Sequence, residues 1–255
     1  MLTQERYQSI LSMVNEKNAV TVSELAELLE ISESTVRRDL TALDELGKLK
    51  KVFGGATAIT KTEGVYEDNV SLREHLMSAE KTEIAKYSAT LINNTDFVFI
   101  DSGTTTFFIA QALSHHENLT IITNDLYIAY QTPLHPSSTL IVTGGTRRQG
   151  RQELVGTVTE NFIRDTHVDI AFIGVDGIDL TGGATNANFA EVGVKRLMLE
   201  AAARGVIVAD HSKFGRIALA RICDIKEASL ILTDTGIDGD MLTRLKKLGV
   251  QMETV

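Results

Sequence analysis

The chain has 255 residues, enough for one large domain and a small one, and its 43% hydrophobic and 23% charged residues describe a soluble globular protein able to bury a sizeable core. A formal net charge of −9 gives no whole-molecule attraction for nucleic acid, so any such contact has to come from a local arrangement of basic groups. One cysteine, Cys223, excludes an internal disulfide and points to a reducing cytoplasm, while no leader segment, polybasic helix or long uncharged apolar span argues for export or membrane attachment.

The spacing predicts an opening helix with Thr3 as its cap and Tyr7, Ile10, Leu11 and Val14 as its buried stripe. Thr21 is placed to cap a second helix, with Glu24 reaching back as a capping box and Val22, Leu25, Ala26 and Leu29 on one face. Ser32 caps a third, whose Val36, Leu40, Leu43 and Leu46 lie on one side and which Gly47 is placed to end. Only Glu30 and Ile31 separate these two helices, so they must cross sharply. The buried stripe of the third leaves Ser34, Thr35, Arg37, Arg38 and Thr41 facing out, donors of the kind that fit base edges and phosphates in a major groove. Lys48, Lys50 and Lys51 then lead to Phe53, Gly54 and Gly55, where the glycine pair permits a two-residue hairpin; Lys50 and Lys51 would edge a wing against phosphates.

Residues 1–58 carry seven Lys and Arg against nine Asp and Glu, but from Ser34 to Phe53 the count turns to five basic against three acidic. Three amphipathic helices are common in proteins that bind no DNA, and adjacent arginines usually mark a solvated face. The order of tight turn, polar helix start and basic hairpin favours a DNA-reading module. The run Ser32–Leu40 (S-E-S-T-V-R-R-D-L), with Leu43, Gly47, Leu49 and Val52-Phe53-Gly54-Gly55-Ala56, resembles the winged-helix signature of the DeoR family of bacterial sugar-metabolism repressors. That family's wing typically carries Arg and His where this chain has Lys51 and Phe53. Lysine keeps the charge but loses the bidentate fork, so Lys51 is expected to hold phosphate rather than to read a base. Modest affinity of one head calls for a homo-oligomer, dimer or tetramer, to multiply the contact on double-stranded operator DNA.

A polar connector follows around Lys61–Asn69, then a helix from about Ser78 through Ile92. Phe97–Ile100, Thr120–Thr123, Thr139–Val142, Ile170–Ile173, Val206–Ala209 and Leu230–Leu232 read as buried parallel strands alternating with helices. The expected fold is therefore α/β: a small winged helix-turn-helix domain over residues 1–60, a connector over 61–74, and a Rossmann-like, mainly parallel domain over 75–255. Ligand sites of such sheets lie beyond the carboxyl ends of the strands. Asp101, Ser102, Gly103, Thr104, Thr105 and Thr106 fall there, ahead of a helix starting near Phe107, where backbone N–H groups and hydroxyls would suit a phosphate. Thr123-Asn124, Gly144-Gly145, Asp176 to Asp179 with Gly182-Gly183, and Asp210 to Lys213 occupy further strand ends. Taken singly, hydroxyl-rich loops cap helices, Gly-Gly makes turns and a lone lysine is solvated; their shared position is what points to a site.

The same segments, with Gly174–Glu191 and Lys195, resemble the sugar-phosphate sensor domain of DeoR-type repressors, a relative of ribose-5-phosphate isomerase, glucosamine-6-phosphate deaminase and coenzyme A transferases. The resemblance implies a phosphorylated sugar as effector, its phosphate held by Ser102 to Thr105 and its body meeting Asp176, Glu191 and Lys213, with Asp101, Asn124 and Gly144 completing the site. Fructose 1-phosphate is a reasonable candidate, since fructose-operon repressors belong to the family. It implies no cofactor and no metal. A rival reading is a sugar-phosphate isomerase fused to a DNA-binding head, because Asp176, Asp179 and Glu191 resemble that enzyme's acidic positions. Leu180 and Thr181 stand where the isomerase has the lysine preceding its glycine run, so the cation that would stabilise an enediolate is missing and no catalytic residue is assigned. The connector near Glu63–Leu72 is expected to carry the effector's signal to the head.

Overall fold

A computed structural model describes residues 3–17, 19–45, 48–58, 76–148 and 150–255. The chain divides into two compact units, Met1–Ser78 and Ala79–Val255. The predicted connector over 61–74 lies outside the described residues, as do Leu46 and Gly47.

In the first unit α1 (Thr3–Lys17), α2 (Val22–Leu29) and α3 (Glu33–Glu45) surround Ile10, Val14, Val22, Leu25, Val36, Leu40 and Leu43, the stripes expected from the spacing. Both halves of the capping box form: Thr21 Oγ1 accepts from Glu24 N at 3.1 Å, and Thr21 N donates to Glu24 Oε2 at 2.8 Å. Glu30 turns the chain in a left-handed conformation, φ 53°, and Ser32 Oγ accepts from Thr35 N at the start of α3. A buried ion pair unforeseen in the sequence ties α1 to α3: Arg6 Nε and Nη2 donate to the two oxygens of Asp39, which is 2% exposed.

The hairpin corrects one expectation. Strands β1 (Ala19–Thr21), β2 (Lys50–Val52) and β3 (Gly55–Thr57) form a sheet with β3 in the middle, and Val52 faces Gly55 across the turn. The two turn residues are therefore Phe53 and Gly54, not the glycine pair, and of these Gly54 has the positive φ, +82°. Gly55 is needed for a different reason: a Cβ there would stand 2.1 Å from the carbonyl oxygen of Val20 in the neighbouring strand.

The second unit is built on a seven-stranded sheet, all neighbours parallel: β4 (Phe97–Ile100), β5 (Thr120–Thr123), β6 (Thr139–Val142), β9 (Val168–Gly174), β12 (Ala202–Val208), β14 (Leu230–Thr233) and β15 (Met252–Thr254). Their spatial order is β15-β14-β12-β9-β4-β5-β6. Alternate residues serve opposite faces. Val98, Ile100, Ile170 and Phe172 pack with Ile84 of α4 (Ser78–Thr90), Ile109 of α5 (Thr104–Ala112) and Ile128 of α6 (Leu126–Gln131). Phe99, Ala171 and Ile173 pack instead with Ile163 of α7 (Thr157–Arg164) and with Val194 and Met198 of α8 (Phe189–Glu200).

All six predicted strands are present, although β12 starts at Ala202 and stops at Val208, one residue short of Ala209, and α4 ends at Thr90 rather than Ile92. The helix foreseen near Phe107 begins at Thr104. The seventh strand, β15, escaped notice because Met-Glu-Thr carries no apolar run. Two short ladders were also missed: β7 (Thr146–Arg147) with β8 (Leu154–Val155), and an antiparallel sheet of β10 (Gly177–Asp179), β11 (Gly183–Asn186) and β13 (Ala220–Cys223), in segments whose glycines and polar residues read as loop. The last helix is α9 (Gly239–Lys247). No described helix is long and apolar enough to cross a membrane. Burial pushes the Cys223 thiol up to about 12, leaving it inert at neutral pH.

Candidate functional site

The head brings its seven candidate residues onto the start of α3 and the neighbouring β2. Ser34, Arg37, Arg38, Lys50 and Lys51 are exposed, and Thr35 and Thr41 are half-buried. The Thr35 and Ser34 hydroxyls each lie 2.9 Å from Ser32 Oγ. Arg37 pairs with Glu33 at 2.9 Å, and the Glu33 carboxyl sits below its ordinary value through the Ser23 hydroxyl and then Arg37. Arg38 makes no ion pair with another described residue. Lys51 Nζ donates to Thr41 Oγ1 at 2.6 Å, Thr41 Oγ1 donates to the Arg37 carbonyl, and Lys51 N donates to Asp44 Oδ1, so the wing is laced to the helix.

In the larger unit the expected loop residues follow the carboxyl ends of five sheet strands, Asp101 to Thr105 after β4, Asn124 after β5, Gly144 after β6, Asp176 after β9 and Lys213 after β12, with Glu191 in α8. Asp101 ends β4 and is fully buried. Its Oδ2 accepts from Gly174 N at 3.0 Å and from Lys195 Nζ at 2.5 Å, joining β4, β9 and α8. Lys195 also donates to the Gly174 carbonyl at 3.1 Å. Burial pushes the Asp101 carboxyl up to about 6, with Lys195 holding it back from rising further. Burial also works against the charge on Lys195, but Asp101, Glu191 and Asp176 outweigh it and leave the ammonium above its ordinary value.

Above this pair, α5 starts at Thr104 with Gly103 (φ +148°) at the cap position, where no side chain accepts from the first-turn N–H groups. The hydroxyls of Ser102, Thr104 and Thr105 make no hydrogen bond to another described residue, whereas Thr106 Oγ1 donates to the Gly103 carbonyl. Thr104 is thus inside the helix and does not cap it.

Glu191 is engaged on both oxygens, by Asn186 Nδ2 at 3.0 Å and Asn188 Nδ2 at 2.7 Å, and lies 3.8 Å from Lys195 Nζ and 3.9 Å from Arg148. Arg148, unsuspected in the sequence, also bridges to Glu153 at 3.1 Å. Asp176 Oδ2 accepts from Ala187 N, and Asn124 donates to the Leu154 carbonyl while its buried Oδ1 has no partner among the described residues. The Gly144 carbonyl accepts from Thr159 Oγ1 at 2.7 Å. Lys213 lies in the short 3-10 turn His211–Lys213 after β12 and makes no ion pair with another described residue. Asp179 is used up in the β10–β11 turn: its Oδ1 accepts from Thr181 N, Thr181 Oγ1 and Gly182 N, which hold it below its ordinary value.

A winged helix-turn-helix joined in one chain to a parallel α/β domain with polar strand-end loops defines a one-component transcriptional regulator. The DeoR-like helix-turn-helix domain matches residues 6–62 and the DeoR C terminal sensor domain matches residues 76–235, and the chain belongs to the DeoR family of transcriptional regulators. The HTH-type transcriptional regulator GolR of Listeria innocua is 32% identical over 98% of this chain and 97% of its own length. The glycerol-3-phosphate regulon repressor of Haemophilus influenzae is 35% identical over 89% of this chain and 88% of its own. These relatives are regulators rather than enzymes. Among solved structures, ribose 5 phosphate isomerase A from Neisseria gonorrhoeae is 14% identical over 56% of this chain and 54% of its own, with a TM-score of 0.39.

Proposed function

We propose that this chain is a cytoplasmic, homo-oligomeric repressor of a sugar-utilisation operon, which leaves its operator when a phosphorylated sugar binds the larger domain. The observation that carries the reading is the start of α5: a cap position, Gly103, with no side-chain hydrogen bond, three hydroxyls with no partner among the described residues, and a buried Asp101–Lys195 pair whose ammonium also reaches the Ser102 carbonyl. A helix amino terminus favours an anion through its N–H groups and dipole. Ser102, Gly103, Thr104 and Thr105 hold the phosphate in this reading, Asp176, Glu191, Asn124, Gly144 and Lys213 surround the sugar, and Asp101 acts as a positioning group. The isomerase alternative lacks the lysine that would stabilise an enediolate, with Leu180 and Thr181 in its place, and one oxygen of Asp179 is held in a turn. Release requires the ligand to prefer the DNA-free arrangement, and each tenfold of preference is worth about 1.4 kcal/mol.

A thermal-shift screen over fructose 1-phosphate, tagatose 6-phosphate and galactitol phosphate tests the ligand class, because a ligand of the native state raises its stability. Gly103→Val and Thr104→Ala should keep operator binding and lose release by the responsive sugar phosphate. A Gly103→Val protein that lets go at the wild-type ligand concentration overturns the reading.

A further inference from the structure

His211 follows β12, and Asp234 follows the adjacent β14. The His211 ring Nδ1 lies 2.7 Å from Asp234 Oδ2, and the His211 backbone N–H donates to Asp234 Oδ1, also at 2.7 Å. Gly236 N donates to Asp234 Oδ2 at 2.9 Å. Asp234 is 5% exposed. A Cβ on Gly236 would stand 2.5 Å from His211 Nδ1 and 2.7 Å from Asp234 Oδ2, so the ring and carboxylate fill the space of a side chain. The imidazole is pinned on one edge. Its other edge is not: the side chain is 29% exposed, and Nε2 has no hydrogen bond to another described residue.

A carboxylate on Nδ1 keeps the proton of the neutral ring on that nitrogen and leaves Nε2 as an acceptor. The sheet then sets the distance. From the end of β4, where Ser102 to Thr105 begin, to the ends of β12 and β14, which His211 and Asp234 follow, is two to three strand spacings, about 10–15 Å, within reach of a phosphorylated hexose and one hydrogen bond. We propose that His211 reads the far end of the effector, its Nε2 accepting a hydrogen bond from a sugar hydroxyl, with Asp234 as its positioning residue. The inference rests on the phosphate site at Ser102 to Thr105.

Two substitutions separate this role from that of a structural pin. His211→Asn can still donate towards Asp234 but cannot reach as far as Nε2; His211→Gln reaches as far but gives up the Asp234 pairing. The measurement is calorimetric titration of the full-length protein with inorganic phosphate and with whichever of fructose 1-phosphate, tagatose 6-phosphate and galactitol phosphate binds tightest. His211→Asn should weaken the sugar monophosphate by about tenfold, the loss of one hydrogen bond, with inorganic phosphate unchanged. His211→Gln should bind the monophosphate better than His211→Asn although its melting temperature is lower. Gly103→Val should weaken every phosphate ligand.

Wild-type monophosphate affinity in His211→Asn, or the reverse ranking of the two variants, overturns the assignment of His211 while Gly103→Val still vouches for the phosphate site. Gly103→Val binding every ligand normally, or a wild type that binds no sugar phosphate, overturns both.

Discussion

The two units keep their functional groups in opposite circumstances. The polar face of the head comes from seven side chains within one stretch, Ser34 to Lys51, five of them exposed, and it rests on a small apolar core to which they do not belong. The strand-end groups of the larger unit come from positions as far apart as Asp101 and Asp234, and the pair at their centre is buried to exclusion of solvent. In the head, recognition by these side chains would be separable from folding, because they lie in water. In the larger unit the proposed site rests on a buried pair that also joins β4, β9 and α8, so a change at that pair touches both.

Breaking the buried pair should have the largest effect. Lys195→Met leaves Asp101 as an uncompensated charge and should cost about 3–5 kcal/mol in urea unfolding at pH 8. Folding raises the Asp101 carboxyl from 3.8 to about 6, so its ionised form costs stability that is recovered as pH falls through 6 towards 3.8. Without the ammonium it rises further and takes up its proton nearer neutrality. The deficit of the variant should therefore shrink between pH 8 and pH 5; a deficit independent of pH would refute the ion pair as its origin.

In the head, Arg38→Ala should weaken operator binding by about 1–3 kcal/mol with melting unchanged. Arg37→Ala should lose less, because its guanidinium is already paired with Glu33 and must exchange that partner for DNA. Fluorescence anisotropy on operator DNA ranks the two, and the opposite ranking would mean that the Glu33 pair orients Arg37 for contact. Lys51→Ala should weaken specific and random DNA alike and lower the salt slope by about one unit. The smallest effect sharpens the comparison from the other side. Thr104→Ala should change stability by less than about 0.5 kcal/mol, since Thr104 caps nothing; a loss near 1 kcal/mol would restore it as a capping residue.

Legibility in the sequence follows the same division. The head was readable because Thr21 with Glu24, Ser32 with α3, and the apolar stripes are local relations at helical spacing. Its one misreading, the wing turn, arose because Gly54 and Gly55 look alike in sequence, yet one supplies a positive φ and the other clears the Val20 carbonyl. The six predicted strands were readable as apolar runs, although β6 is an edge strand with no buried residue, whereas β10, β11 and β15 were not, lacking such runs. Asp101 and Lys195 lie 94 residues apart, and nothing local in either segment says that they meet. His211 with Asp234, 23 residues apart, was invisible for the same reason, whereas Arg148 and Glu153 stand only five residues apart in a segment that reads as loop.

The place of β4 in the middle of the sheet has a consequence for the order in which this polypeptide matures. Its partner on one side, β9, comes late: Asp101 and Gly174, which bond across that seam, are 73 residues apart in the chain. The head closes its core with the first 56 residues. At typical ribosomal speeds the remaining sequence up to Gly174 takes on the order of ten seconds to emerge, and loop closure over such separations slows the step that follows. Each newly made molecule thus passes through an interval in which its first unit can be complete while its larger unit is not.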